Sequence, residues 1–203
     1  MRLFVFARHA ESVTNVAHVL NSDPSQPAAL TPGGRRQARK LGAQVANLAI
    51  DLAFCTRFSR TRETAELALH GRGVPLLVEP GLDEVQAGVF DGRPIAAYWA
   101  WKEQHTADER FPQGESLDEA VRRYVDALHR LLARTEAVTL IVGHELALRY
   151  IAAAAAEPDS RGGAQTAIAH AVPYLFDEPA LSRAVACLDA LAPPTPDGIA
   201  KAA

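Results

Sequence analysis

Several residue types are scarce in this chain, and each scarcity excludes a class of protein. Cys55 and Cys187 are its 2 cysteines, too few and too far apart for a disulfide framework or a metal-ligand pair at diagnostic spacing. Positive charge is not in excess: the net charge of −3 argues against a general nucleic-acid binder. The most apolar late stretch, Leu146 to Ala156, contains Arg149 and is too short to span a bilayer.

What remains is the composition of a soluble globular protein, with 48% hydrophobic and 22% charged residues over 203 positions. This length fits one domain, which we expect over residues 1–190, with a helical insert at about 94–112 and a mobile tail over 191–203. The N-terminus enters an apolar run directly, without a cleavable signal pattern, so we expect a cytoplasmic location.

Short apolar runs alternate with segments of helical spacing along most of the chain. The runs predict strands, and Thr31-Pro32 and Ser116 with Glu119 provide start signals for two of the helices. This alternation predicts an α/β fold, a three-layer α/β/α sandwich with a mainly parallel sheet. The predicted strands are 3–7, 51–55, 74–78, 138–142, 167–176 and 184–188, and the predicted helices are 32–48, 59–69, 94–103, 116–134 and 146–155.

Two of the clearest strands end in a histidine. Arg8-His9 follows the first strand, and Gly143-His144 follows the strand over 138–142. Folds of this class bind ligands outside the carboxyl ends of their strands. If the two strands are neighbours, both histidines therefore face one pocket. Arginine matches phosphate with a planar fork of donors, and histidine can act as nucleophile, acid or base.

Six motifs in order along residues 3–150 then resemble the histidine phosphatase superfamily, in its phosphoglycerate-mutase-like branch. Each is weak alone, and together their order and spacing are specific. They are Arg8-His9-Ala10-Glu11-Ser12 with Asn15; Leu30-Thr31-Pro32-Gly33-Gly34; Cys55 to Ala65 with Arg60; Leu82-Asp83-Glu84 with Gly88 and Asp91-Gly92; Gly114-Glu115-Ser116; and Val142-Gly143-His144.

The resemblance implies a role for each matching residue. His9 would accept the phosphoryl group as a phosphohistidine, and Glu84 would protonate the leaving oxygen and then activate water. Preset donors that meet the phosphoryl charge usually dominate such transfers. They would be Arg8, Arg60, Asn15 and, if protonated, His144. Ser12 would either touch the phosphate or cap the following turn. No metal or other cofactor is expected, because these groups supply the positive charge.

The chain departs from the family pattern at three places. Ala10 replaces the usual glycine after the first histidine, which bears on how closely the backbone can approach phosphate. Glu145-Leu146 replaces the usual small pair after the second histidine. Acid phosphatases of the same superfamily place their general acid there, so Glu145 is an alternative proton donor to Glu84. Asp83 is a further rival, less favoured by the motif.

The third departure concerns the substrate. Val85-Gln86-Ala87 follows Glu84, where the mutases have an arginine and a tyrosine that grip a substrate carboxylate. We therefore expect a phosphomonoesterase acting on a small phosphorylated metabolite, although Arg110 could hold a carboxylate from elsewhere. The alternatives are a 2,3-bisphosphoglycerate-dependent phosphoglycerate mutase and a catalytically weak interaction module. The expected partner is a small-molecule phosphate ester, with no nucleic acid and no membrane; homodimer formation stays open.

Overall fold

A five-stranded sheet forms the centre of the computed structural model, which describes residues 1–156 and 167–191. Its strands are β1 (Leu3–Arg8), β2 (Leu52–Cys55), β3 (Leu76–Val78), β4 (Val138–Gly143) and β5 (Pro173–Asp177). They lie in the order β3-β2-β4-β1-β5. All neighbouring pairs are parallel except β1 and β5. The predicted α/β fold with a mainly parallel sheet is confirmed.

Seven helices accompany the sheet within the described residues. They are α1 (Val13–Val16), α2 (Pro32–Gln44), α3 (Ser59–Ala68), α4 (Ile95–Lys102), α5 (Leu117–Leu132), α6 (Glu145–Ala156) and α7 (Glu178–Leu191), with single 3₁₀ turns at Pro80–Leu82 and Gly88–Phe90. Their start signals work as expected. Thr31 accepts a hydrogen bond from the amide of Gly34, and Ser116 and Glu119 form a reciprocal capping box.

The two faces of the sheet are covered by different helices, as the alternation of side chains in β1 shows. Phe4 and Phe6 point into a core that contains residues of α5, α6 and α7. Val5 and Ala7 point the other way, into a core built with α2 and α3. All four are buried. A strand buried on both faces is apolar throughout, which is why β1 was readable as a continuous apolar run.

Two sequence-based expectations about the C-terminal part need correction. The predicted strand over 184–188 is part of helix α7, whose buried residues recur with the helical spacing of Leu181, Ala184, Val185 and Leu188. The predicted strand over 167–176 is much shorter, because β5 begins only at Pro173. Leu191 ends α7, and the rest of the expected tail, residues 192–203, lies outside the described residues.

The loop after β1 packs directly on the start of α2. Thr31 donates from its hydroxyl to Glu11 Oε1 at 2.5 Å, and the amide of Thr31 donates to the carbonyl of Glu11 at 3.0 Å. Gly34 permits this approach, because a Cβ there would lie 2.0 Å from the Glu11 carbonyl oxygen. Glu11 therefore supports the loop.

Candidate active site

The strand register brings the two predicted histidines together. Arg8 is paired with Gly143 in the parallel ladder of β1 and β4, and the amide of His9 donates to the Gly143 carbonyl at 2.9 Å. The ring centroids of His9 and His144 are 5.5 Å apart. Both side chains are buried. The expectation that neighbouring strands would direct both histidines to one site agrees with this geometry.

Arg60, from the first turn of α3, links the two histidines. Its Nε donates to His9 Nε2 at 3.0 Å, and its Nη2 lies 3.1 Å from His144 Nδ1. The same guanidinium donates to the side chain and the carbonyl of Asn21, and it lies over the Phe58 ring. Burial lowers the pKa of Arg60 to about 10, so it remains a cation at neutral pH.

These contacts determine where the imidazole protons lie. Arg60 can only donate, so His9 Nε2 and His144 Nδ1 must both accept and carry no proton. His9 then holds its proton on Nδ1, 2.8 Å from the Ala10 carbonyl, and His144 holds its proton on Nε2, 2.9 Å from Thr56 Oγ1. Burial, reinforced by the positive charge of Arg60, holds the pKa of each histidine well below its usual range. His144 is thus neutral here, whereas the sequence considered a protonated form.

Glu84 approaches the same nitrogen of His144 as Arg60 does, with its Oε2 3.7 Å from His144 Nδ1. Burial raises the pKa of Glu84, and the nearby charge of Arg60 opposes this only in part. A carboxyl group with this environment holds a proton at a higher pH than a solvated one. The neighbouring Asp83 instead forms an ion pair with Arg57, with Arg57 Nε 2.5 Å from Asp83 Oδ2. It is therefore a structural residue.

A partly buried ion pair holds the loop that carries Glu84. Arg123 of α5 lies 2.5 Å from Glu115 and donates to the carbonyls of Gly81 and Asp83. Glu115 in turn accepts from the amide of Gln86 at 2.9 Å. The sequence motif singled out the start of α5 but gave no reason for it. The structure shows that this segment fixes the backbone on both sides of Glu84.

The pocket above these residues has about 650 Å³ of space, including its open mouth. Five of the predicted residues line it, namely Arg8, Asn15, Arg60, Glu84 and Glu145. The buried His9 and His144 contact the lining residue Arg60 but are not themselves part of the lining. Ser12 is not part of the lining either. Its hydroxyl is buried and donates to Asn15 Oδ1 at 2.7 Å, and its amide donates to the same oxygen at 2.9 Å. Of the two alternatives for Ser12, the geometry favours the cap, which orients Asn15.

The methyl group of Ala10 does not face this pocket. Ala10 is fully buried in the core on the α2 and α3 side of the sheet. Its amide donates to Thr64 Oγ1 at 3.0 Å. The methyl group that Ala10 has in place of the usual glycine therefore fills core volume.

Comparison with known proteins assigns this arrangement to a family. A model of the histidine phosphatase superfamily (branch 1) matches residues 4–173. The chain belongs to this superfamily.

Relatives in sequence and in structure agree with the assignment. Probable phosphoglycerate mutases GpmB of Erwinia tasmaniensis and Serratia proteamaculans are 33% and 34% identical over 149 residues, covering 70% of this chain and 68% of each relative. The solved structure of Bacillus stearothermophilus YhfR matches with a TM-score of 0.76 and 24% identity, over 87% of this chain and 91% of that one. A mycobacterial glucosyl-3-phosphoglycerate phosphatase, solved with VO3, matches at 0.74 and 21% identity, over 87% and 93%. Both structural matches show the same fold.

The candidate site of this superfamily member also contains residues that the sequence did not indicate. His170 belongs to none of the motifs, yet its Nδ1 lies 2.8 Å from the His9 carbonyl and its ring packs against that of His9. Thr56, which orients His144, lies within the motif from Cys55 to Ala65, but the motif gives it no role. Asn21, which accepts from Arg60, belongs to none of the motifs. Trp99 lines the pocket, whereas Trp101 stacks on His105 and is not part of the lining.

Glu145 meets two arginines of this histidine phosphatase. Its Oε2 lies 2.7 Å from Arg8 Nη1, and its Oε1 is bound by Arg149 Nη2. All three residues line the pocket. Arg110, considered as a grip for a substrate carboxylate, instead contacts Glu119 and the Gly114 carbonyl and is not part of the lining. Neither a metal-binding cluster of His, Cys, Asp and Glu nor a helix long and apolar enough to cross a membrane occurs in residues 1–156 and 167–191.

Proposed function

We propose that this chain is a phosphomonoesterase that hydrolyses a small phosphorylated metabolite in the cytoplasm through a phosphohistidine on His9. The observation that carries the proposal is the unprotonated Nε2 of His9, which faces a buried arginine, Arg60. A neutral imidazole nitrogen beside a fixed cation combines a nucleophile with a binding site for phosphate.

The first step transfers the phosphoryl group to the protein. His9 Nε2 forms a bond to phosphorus while the bond from phosphorus to the ester oxygen breaks. Arg60 leaves Nε2 and donates to the phosphoryl oxygens, together with Arg8 and the amide nitrogen of Asn15. Glu84 gives its proton to the leaving oxygen, so the alcohol departs neutral.

The second step returns the protein to its initial state. Water attacks phosphorus, its proton passes to Glu84, and the bond from phosphorus to Nε2 breaks. Inorganic phosphate leaves, and Glu84 is again protonated. The negative charge of the phosphoryl group also favours protonation of His144 Nδ1, which then donates to the same oxygens that Arg60 contacts.

A panel of metabolite phosphates tested with wild type and His9→Ala examines this proposal. We expect phosphate release by the wild type alone. With a ³²P-labelled ester, rapid acid-free quenching should trap a label that is stable to alkali and labile to acid, as expected of phosphohistidine. Undiminished turnover by His9→Ala, or label on another residue, would contradict the assignment.

A second candidate is a 2,3-bisphosphoglycerate-dependent phosphoglycerate mutase, because relatives 33% and 34% identical are named as probable mutases. Interconversion of 2- and 3-phosphoglycerate that requires the bisphosphate would favour it. The pocket offers less support: Val85 lines it directly after Glu84, and Arg110 lies outside it. Hydrolysis with release of phosphate in place of interconversion would favour the phosphatase.

A further inference from the structure

The pocket lining contains more cationic side chains than carboxyl groups. Its lining contains three cations, Arg8, Arg60 and Arg149, and two carboxyl groups, Glu84 and Glu145. Burial raises the pKa of Glu84 and favours its neutral form. Glu145 is partly exposed and bound on both oxygens by guanidinium groups. Of the two carboxyl groups, Glu145 is thus the one that pairs with arginines of the described pocket.

Glu145 occupies the donors that a second anionic group of a substrate would need. It bridges Arg8 and Arg149, so each of these cations already faces a carboxylate. Arg149 has no other charged partner in the pocket. The lining therefore has more guanidinium groups than carboxyl groups, and the guanidinium that no carboxylate pairs with is Arg60, beside His9.

The rest of the pocket is suited to an uncharged group. Away from the arginines, its wall consists mainly of apolar and aromatic side chains, namely Val19, Leu20, Ile95, Tyr98, Trp99 and Leu146. Tyr98 is buried, and burial raises the pKa of its hydroxyl, so it stays neutral. Such a wall binds apolar surface and supplies no compensation for a further negative charge.

We infer that Glu145 is a specificity-determining residue, which selects phosphomonoesters whose remaining part is uncharged and apolar and rejects esters that carry a second anionic group. The inference rests on the proposed phosphatase function and extends it to a class of substrate. A carboxylate that enters this pocket must either displace Glu145 from Arg149 or remain unpaired next to it, and both cost free energy.

Two esters of nearly the same shape test the inference, 4-carbamoylphenyl phosphate and 4-carboxyphenyl phosphate. The first ester has a neutral amide at the position where the second has a carboxylate. For the wild type we expect kcat/KM to be about tenfold or more higher for the amide ester, the size of one unfavourable charge contact in a partly screened site. In Glu145→Gln the preference should fall to about threefold or less, because Arg149 becomes free for the substrate carboxylate.

Two further variants give the test its controls. Glu136→Gln removes a carboxylate whose partner is Arg134, outside the pocket, and should keep the wild-type preference. Arg149→Gln removes the cation but keeps Glu145, and should increase the preference for the amide ester. These opposite directions cannot both arise from a loss of folding.

The outcomes separate this inference from the function on which it rests. Equal use of both esters by the wild type, or an unchanged preference in Glu145→Gln, would overturn the role of Glu145 and leave the phosphatase standing. Absence of turnover of either ester, with wild type indistinguishable from His9→Ala, would overturn both.

Discussion

Arg60 at the floor of the pocket and Arg8 on its wall are the same residue type in two different settings. Arg60 donates to two neutral histidines and to Asn21, and no carboxylate forms an ion pair with it among the described residues. Arg8 donates to the Ile168 carbonyl and pairs with Glu145. The charge at the floor is thus available to a ligand, whereas the charge on the wall is already partly neutralised.

The difference teaches that cations in one pocket need not contribute equally to binding an anion. A buried cation with neutral partners gains the full attraction of an incoming phosphate, because little must be displaced. A cation that is paired with a carboxylate exchanges one anion for another and gains less. We therefore expect the floor to govern the chemical step and the wall to govern selectivity.

The largest expected effect comes from removing the nucleophile at the floor. His9→Ala should lower kcat by about 10⁴-fold or more, because the chemical route through a covalent intermediate is lost. His129→Ala, an exposed histidine on α5, is the matched control and should retain wild-type rates. Steady-state phosphate release measures both. Similar losses of kcat in the two variants would show that the loss does not depend on His9.

The two carboxyl groups provide the next comparison. Glu84→Gln should slow single-turnover cleavage of an alkyl phosphate by about 10²- to 10⁴-fold, since a poor leaving group needs a proton. With 4-nitrophenyl phosphate, whose leaving group needs little protonation, the loss should be much smaller. Glu145→Gln should show no such dependence on the leaving group. If the dependence appears in Glu145→Gln instead, the wall supplies the acid and our assignment is wrong.

The same assignment fixes the direction of the pH dependence. Burial raises the pKa of Glu84, and the proposed acid is active only when protonated. The single-turnover rate on an alkyl phosphate should therefore fall as pH rises through that raised pKa. This decline should be absent for 4-nitrophenyl phosphate and from the residual activity of Glu84→Gln. A decline of equal size for both esters would assign it to another group.

The free energy of unfolding should also depend on the two histidines beside Arg60. The pKa values of His9 and His144 lie well below that of an unfolded histidine because both are buried. Below about pH 6.5 these two histidines bind protons in the unfolded chain but not in the folded one. The free energy of unfolding therefore decreases as the pH is lowered. Between pH 7.5 and 5.5 the expected loss is about 1 kcal/mol per histidine. Urea unfolding of the wild type and of the double variant His9→Asn/His144→Asn at both pH values measures this loss. If the free energy of unfolding depends equally steeply on pH in the double variant, the assignment is wrong.

The smallest effect is expected from Thr56, which positions His144 without touching the substrate. Thr56→Val removes the acceptor for His144 Nε2 and should lower kcat by about tenfold with little change in KM. Thr56→Ser should restore most of the rate. Thr106→Val, at an exposed position after α4, is the control. A loss that Thr56→Ser does not reverse would indicate a packing defect.

The sequence predicted the parts of this molecule that depend on local pattern. The strand before His9 was readable because both of its faces are buried, and the capping signals of α2 and α5 act within a few residues. Helix α7 was misread because a short apolar run fits either a strand or one face of a helix. Only the longer spacing from Leu181 to Leu188 distinguishes the two.

The partners of the site residues could not be predicted, because each contact depends on how distant segments pack. Thr56 meets His144 across 88 positions, and His170 meets the carbonyl of His9 across 161. A lone threonine or histidine has no periodicity or motif that announces such a contact. The ion triad of Arg8, Glu145 and Arg149 was likewise hidden, although the sequence marked Glu145 as unusual.

The close contact between Gly34 and Glu11 determines which substitutions the chain tolerates at position 34. Any side chain at position 34 would push on the backbone two residues beyond His9, since even a Cβ would lie 2.0 Å from the Glu11 carbonyl oxygen. A random mutagenesis screen should therefore recover position 34 among inactive but expressed clones, although it carries no functional group. Among the substitutions that preserve activity, none would fall at Gly34, although this residue takes no part in the chemistry.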